Sequence, residues 1–325
     1  MATGRFTIGI MTSGGDAPGM NAAIRAVVRT ASANNMDTIG VINGYEGLMN
    51  GEFKPLGPRE VGGILQRGGT VLMTSRSKRF MEPNGQRQAI RKMNEARMDA
   101  LVVIGGEGSM NGAYALSQQG IKVIGIPGSI DNDIWGTNIA IGADTAMNTI
   151  MDAVDKLRDT ASSHQRAFLV ETMGRNSGYL AVMAGIVCGA ELVLVPEVPT
   201  TVEEVAKSVE EAYKRGKTHA IIINAEGSNI RTTDLAAAID NMDVGFKTRV
   251  TILGHIQRGG SPTAYDRLIA SRMGVKAVEA LLEETYGVMT GIRGRGVVYT
   301  PLVDVINNKR KVNEEFYRMT KILAR

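Results

Sequence analysis

Strand-like and helix-like stretches alternate along almost the whole chain, and this rhythm constrains its fold more than any other feature. The short runs FTIGIMT, TIGVING, ALVVIGG, KVIGIPG, AFLVETM, LVLVPE, HAIIINAEG and RVTILGH are rich in β-branched residues. Amphipathic stretches such as AAIRAVVRTASANN, DAVDKLRDTASSH and VEEVAKSVEEAYKRG lie between them. A strand, a helix and another strand close most readily into a parallel sheet with helices on both faces. Ligands bind such sheets beyond the carboxyl ends of the strands. At 325 residues the chain is about twice a typical domain, which predicts two lobes or one large α/β unit. No repeat or linker marks a boundary.

Composition narrows the function. The chain is 43% hydrophobic and 22% charged, enough apolar material for a substantial core. Glycine is in surplus, at 39 residues against an average of about 7%. It falls after the strand runs, where backbone must turn tightly or approach a ligand closely. The net charge is +4 with no long basic run, and aromatics are only 5%, so nucleic acid is not an expected partner. Glu191 interrupts the longest apolar stretch and the N-terminus carries no apolar leader, so no membrane span is expected and the setting is read as cytoplasmic. The single Cys188, in LAVMAGIVCGA, reads as a buried, inert thiol.

Four segments carry chemistry. TSGGDAPGMNAAIRAVVR joins a strand to a helix, with Gly14, Gly15 and Gly19 freeing amides that favour an anion. It also fits an ordinary glycine-rich turn, and no GxxxxGK[ST] pattern accompanies it. VVIGGEGSMNGAYAL repeats the arrangement. Its Gly106, Gly108 and Gly112 imitate a dinucleotide fingerprint with Asp131 about 20 residues on. Glu107 would repel a pyrophosphate unless Mg²⁺ lay between them. In IPGSIDNDIWGTN, Asp131 and Asp133 are either solvated turn formers or the pair that holds Mg²⁺ and accepts a hydroxyl proton, with Ser129 beside them. Finally Arg166, Met173-Gly174-Arg175, Glu226, Arg249 and His255 to Arg258 are each read as ending or following a strand. Several arginines there suit a phosphate. His255 fits that site or a packed core. Together the segments suggest phosphoryl transfer between a nucleotide and a phosphorylated small molecule.

GGDAPGMN, GGEGS, GSIDND, SSHQR, MGRNSG and GHIQRGGSPTAYDR, in this order, resemble the bacterial 6-phosphofructokinase family, strongly over about residues 6–285. The resemblance implies two Rossmann-like lobes, each a mostly parallel sheet covered by helices. Residues 1–141 plus 257–305 would form the ATP-binding lobe. Residues 142–256 plus 306–325 would form the sugar-phosphate-binding lobe. ATP would lie across Gly15, Tyr45, Arg76, Ser77 and the turn Gly106, Glu107, Gly108, Ser109. Asp131 would be the base for the 1-hydroxyl of fructose 6-phosphate, with Ser129, Arg175 and Arg76 also catalytic. Ser129, Ile130, Arg166, Met173, Gly174, Arg175, Glu226, Arg249, His255 and Arg258 would hold the sugar phosphate. Arg166 and Arg249 would come from a neighbouring subunit of a homotetramer. Glu107 and Asp133 would hold Mg²⁺.

A second anion site for ADP or phosphoenolpyruvate is implied at Arg25, Arg29, Arg158, Glu191, Arg215, Lys217 and His219. There Gly62-Gly63 replaces the usual Ser-Asp, and Pro58 a common arginine, which predicts a weakened response. At the active site, Glu107 replaces the usual aspartate, reaching about 1.5 Å further, and Ser129 replaces a threonine. Glycine at 108 and 128, where pyrophosphate-using relatives carry Asp and Lys, implies ATP as donor. The rival readings are a pyrophosphate-dependent enzyme, a non-catalytic nucleotide sensor of the same fold and, more remotely, a nicotinamide dehydrogenase.

Overall fold

The computed structural model describes residues 5–324, which divide into two compact units. The first runs through Ser129 and takes up again at Ile134–Thr145 and Arg258–Arg310. The second comprises Ile130–Asp133, Ala146–Gln257 and the chain from Lys311 onward.

The first unit is built on a seven-stranded sheet: β1 (Thr7–Ser13), β2 (Asp37–Val41), β3 (Phe53–Pro55), β4 (Ala100–Gly105), β5 (Lys122–Pro127), then β10 (Val288–Arg293) and β11 (Gly296–Pro301) after the second unit's strands. Their spatial order is β11-β10-β5-β4-β1-β2-β3. The five inner strands are parallel, and β3 and β11 close the two edges antiparallel. Every residue of β4 is buried, as a central strand covered on both faces requires. Helices Met20–Ala33 and Ala264–Leu282 pack together on the sheet. Their crossing is close because Gly274 faces Ala23 and Ala26; a Cβ at 274 would stand 2.7 Å from that of Ala26. A second core gathers Met49, Met93, Met110, Leu116 and Leu302 with Val103 and Met289 of the sheet.

The second unit has a parallel four-stranded sheet, β6 (Arg166–Thr172), β7 (Leu192–Leu194), β8 (Ala220–Ala225) and β9 (Lys247–Ile252), ordered β7-β8-β6-β9. Leu169, Ile222, Val205, Leu235 and Phe246 form its core. Helix Val202–Lys214 starts on a capping box: Thr201 Oγ1 accepts from Glu204 N, and the Glu204 carboxylate accepts from Thr201 N. The expected class, α/β with two mostly parallel helix-covered sheets, is the fold observed. Among the described residues no helix is long and apolar enough to cross a membrane.

Candidate active site

In the first unit β2 follows β1 on one side of the sheet, and β4 returns to the other side. Such a reversal leaves a crevice beyond the carboxyl ends of the two strands. Ser13 pairs with Gly105, and Gly105 with Pro127, so the turns after β1, β4 and β5 share one edge. The first turn is glycine-dependent. Gly14 and Gly19 adopt φ of 83° and 107°. A Cβ at Gly15 would lie 2.0 Å from Arg258 Nη1, whose guanidinium donates to the Asp16 carbonyl at 3.1 Å. Glycine at 15 therefore makes room for an arginine that the sequence assigns to the sugar phosphate.

The second turn opens helix Glu107–Ser117. Glu107 and Gly108 are exposed, and a Cβ at 108 would meet nothing within 4 Å. The Ser109 hydroxyl is buried and has no hydrogen-bond partner among the described residues. Free amides of a helix N-terminus beside an unused buried hydroxyl suit a phosphate. Tyr45 supports this turn from beneath. Its ring is buried and stacked on Phe80 at 4.0 Å, and its hydroxyl donates to the Ser109 carbonyl at 2.7 Å. Burial raises the Tyr45 hydroxyl well above its ordinary value, so it stays a donor. Arg76 is exposed on a loop anchored by Asn21, which donates to the Arg67 carbonyl and accepts from Val71 N, and by Thr12, which donates to the Met73 carbonyl. Ser77 donates to Glu46 at 2.6 Å.

After β5, Gly128 N donates to the Gly105 carbonyl and Ser129 N to that of Ile141. A Cβ at Gly128 would stand 3.0 Å from Met20 Cε, the flexible end of a side chain, so the fold crowds this position without excluding a side chain.

In the second unit the turns after β6, β8 and β9 come together, since Thr172 pairs with Ala225 and Glu171 with Ile252. Glu226 Oε1 accepts from Gly174 N at 3.2 Å and from Arg175 N at 2.8 Å. This holds Arg175 at φ 52°, unusual for a side-chain-bearing residue. Arg175 Nε then lies 3.7 Å from Oδ2 of Asp131, a carboxylate only 4% exposed. Ile130 is fully buried, Asn132 takes φ 49°, and Asp133 is half-buried. Asp131 is therefore not a solvated turn former, while Asp133 keeps part of its surface exposed. Met173 is buried, and His255 is exposed, which removes it from the core.

Two arginines depart from the sequence reading. Arg166 opens β6 and Arg249 lies inside β9, opposite Phe168, so neither ends or follows a strand. At about 3.3 Å per residue, Arg166 starts about 20 Å from the turn that its strand leads into. Arg249 is exposed, and its Nη1 donates to the Thr248 carbonyl.

Among the described residues no three His, Cys, Asp or Glu side chains cluster as a metal cage. Mg²⁺ commonly takes one or two carboxylates and completes its shell with water and phosphate. The exposed Glu107 carboxylate beside the phosphate-suited turn fits that pattern.

A separate polar cluster in the second unit joins Arg158, Glu191, Lys217 and His219. Arg158 meets His219 Nε2 at 3.3 Å and donates to the Cys188 carbonyl. Lys217 pairs with Glu191 at 3.0 Å and donates to the Ala324 carbonyl. Burial, opposed by Glu191 and reinforced by Arg158 and Lys217, lowers the His219 imidazole below its ordinary value. Arg215 stands apart on Glu211, at 3.9 Å. In the first unit Arg25 is half-buried and Arg29 exposed along helix Met20–Ala33. The Cys188 thiol is buried and free, pushed up to about 11 chiefly by burial and then by Asp155, as an inert thiol should be.

A family model for phosphofructokinase matches residues 7–281. The chain belongs to the phosphofructokinase family. It is 48% identical over 318 residues to the ATP-dependent 6-phosphofructokinase of Thermotoga neapolitana, covering 98% of this chain and 99% of that protein. The ATP-dependent 6-phosphofructokinase 1 of Thermus thermophilus is also 48% identical, with the same coverage of both chains. Among solved structures, Pichia pastoris phosphofructokinase superimposes with a TM-score of 0.90 at 37% identity over 94% of this chain, which spans 36% of that one. A pyrophosphate-dependent phosphofructokinase from Marinobacter aquaeolei reaches 0.86 at 21% identity, over 95% of this chain and 86% of that one; this is likeness of fold alone.

Sequence reasoning missed the phosphofructokinase residues that hold the turns rather than face the crevice. Gln257 is fully buried against the turns after β6 and β9. Asp266 is fully buried too; it accepts from Gly142 N, Thr145 N and Thr145 Oγ1 at 2.6–2.9 Å. Both lie in GHIQRGGSPTAYDR, so the motif contained them, but polarity alone could not mark them as buried.

Proposed function

We infer that this protein is an ATP-dependent 6-phosphofructokinase working through the residues named above. It is a kinase of glycolysis, transferring the γ-phosphoryl of ATP to the 1-hydroxyl of fructose 6-phosphate to give fructose 1,6-bisphosphate and ADP. The observation that carries the residue assignment is the buried Asp131 carboxylate with Arg175 3.7 Å away, beside a turn held by Glu226.

Phosphoryl transfer through a loose transition state needs positioning and positive charge more than covalent help. The first unit binds ATP, its polyphosphate lying on the amides after β1 and β4 and on Ser109. Tyr45 acts beneath the turn, holding Ser109, and Arg76 reaches the phosphates from its loop. In the second unit Asp131 accepts the hydroxyl proton as bonding to phosphorus develops. Arg175 and Ser129 steady the moving phosphoryl group. Met173, His255 and the free oxygen of Glu226 orient the sugar, and Arg258 binds its phosphate. Glu107, with Asp133, would hold Mg²⁺, which supplies charge neutralisation on the ATP phosphates.

Arg166 and Arg249 reach a neighbouring subunit's sugar phosphate, a role favoured by their places on β6 and β9, away from their own unit's turns. The active form is then a homotetramer in the cytoplasm. Arg158, Glu191, Lys217 and His219, with Arg25, Arg29 and Arg215, bind ADP or phosphoenolpyruvate. The response is weak because Gly62 and Gly63 bring no polar side chain.

A coupled assay with fructose 6-phosphate and either ATP or pyrophosphate tests the activity: turnover with ATP is expected, and turnover with pyrophosphate alone would refute it. Mixing Asp131→Asn with Arg249→Ala subunits tests the shared site. Activity should partly return, and mixtures that re-associate yet stay inactive would rule sharing out.

A further inference from the structure

Three consecutive backbone amides in the turn after β6 are all occupied by side chains from neighbouring strand ends. Glu226, following β8, takes Gly174 N and Arg175 N. Gln257, following β9, takes Met173 N on its Oε1 at 3.1 Å. Gln257 Nε2 donates in turn to the Gly254 carbonyl at 3.0 Å, so its amide bridges two turns in one orientation only. The side chain is fully buried, where a polar group left without partners is costly. The turn contains two residues with positive φ, Gly174 at 139° and Arg175 at 52°. Backbone of that kind persists when its surroundings over-determine it.

We propose that Gln257 is a positioning residue for phosphoryl transfer: with Glu226 it clamps the turn after β6 and thereby sets the Arg175 guanidinium against Asp131. The proposal rests on the functional reading above. Because their amides are already taken, Met173 to Arg175 present side chains and carbonyls to the substrate, not N–H groups. The clamp acts on the sugar side alone, so its loss affects sugar and ATP unequally.

The test uses full-length Gln257→Leu and Gln257→Glu proteins, assayed for both substrates from about pH 6 to 8. In Gln257→Leu the half-saturating fructose 6-phosphate concentration should rise about tenfold, the size of one lost buried hydrogen bond. Its kcat should fall as well, with half-saturating ATP within about twofold of wild type. Gln257→Glu keeps the shape and accepts from Met173 N, but can donate to Gly254 only when protonated, a form that burial favours. Its sugar constant, divided by that of wild type at each pH, should approach one at the acid end and climb as pH rises. An unchanged sugar constant in Gln257→Leu, or equal increases for both substrates, would overturn the clamp. Should Gln257→Leu not fold, a pH-independent ratio in Gln257→Glu overturns it equally. The two failures are separable: no wild-type turnover defeats the functional reading, whereas normal wild-type turnover with unaltered variants defeats the clamp.

Discussion

The turns at the strand ends of the two units are built in opposite ways. In the first unit they are made by removing side chains: Gly14 and Gly19 take left-handed backbone, Gly15 leaves room for Arg258, and Gly108 faces open space. In the second unit they are made by adding side chains, with Glu226 and Gln257 filling the amides of one turn. Under the proposed function the difference follows from the ligands. A polyphosphate is recognised by backbone amides that can approach it closely, which needs bare glycine. A sugar with a reacting hydroxyl is recognised by a carboxylate and a guanidinium, which need rigid placement.

The sharpest break in this comparison comes from Asp131. Asp131→Asn keeps its shape but removes the proton acceptor, so kcat should fall about 10²- to 10⁴-fold with sugar affinity preserved. Steady-state kinetics with calorimetric binding of fructose 6-phosphate checks this, and near-normal kcat would remove Asp131 from the chemistry. Next in size is Gly15→Ala, which crosses the divide. The added methyl displaces the flexible end of Arg258 rather than backbone, so the protein should fold. Half-saturating fructose 6-phosphate should rise about tenfold, as for a lost charge-assisted hydrogen bond. An effect on ATP alone would show that Arg258 does not serve the sugar.

Two further glycines separate ligand space from packing. Gly108→Ala meets no protein atom and lies in a helix, so stability should hold or rise by about 0.5–1 kcal/mol. Half-saturating ATP should nevertheless increase several-fold. Gly128→Ala presses on Met20 and should cost about 1 kcal/mol in thermal unfolding with ATP kinetics little changed. Reversed outcomes would exchange the two assignments.

The smallest effect on activity concerns Asp266. Burial raises its carboxyl to about 6, against hydrogen bonds from Thr145 and Gly142 that pull it down. The folded protein thus holds this proton more tightly than the unfolded chain, whose ordinary value is 3.8. The associated stability is present below about pH 4 and is lost as pH rises through about 6. Thermal unfolding from pH 4 to 7 should show a decline of a few degrees in wild type that is absent from Asp266→Asn. Parallel curves would contradict the assignment.

The sequence made the alternating elements legible because buried parallel strands are uninterrupted apolar runs, as in ALVVIGG. It hid β10 and β11, whose hairpin VMTGIRGRGVVYTP is broken by glycines; Arg293 pairs with Gly296 around Gly294 at φ 56°. It exposed the residues that face the crevice, since glycines and charges after strands have few other uses. It concealed Gln257, Asp266 and Asn21, polar residues whose burial depends on segments far away in the chain. Arg166 and Arg249 lie at the amino end and in the interior of their strands rather than past the carboxyl ends, because β6 and β9 take up the arginines that flank their apolar runs.

In the proposed function the glycine turns of the first unit take ATP while Asp131 directs its phosphoryl group to the sugar. The most direct measurement follows a single sample by ³¹P magnetic resonance, containing the protein, Mg²⁺, fructose 6-phosphate and equal amounts of ATP and pyrophosphate. The γ-phosphate signal of ATP should disappear as a second sugar phosphomonoester grows at the 1-position, with pyrophosphate untouched. Consumption of pyrophosphate while ATP persists, or no transfer to the sugar from either donor, would contradict it.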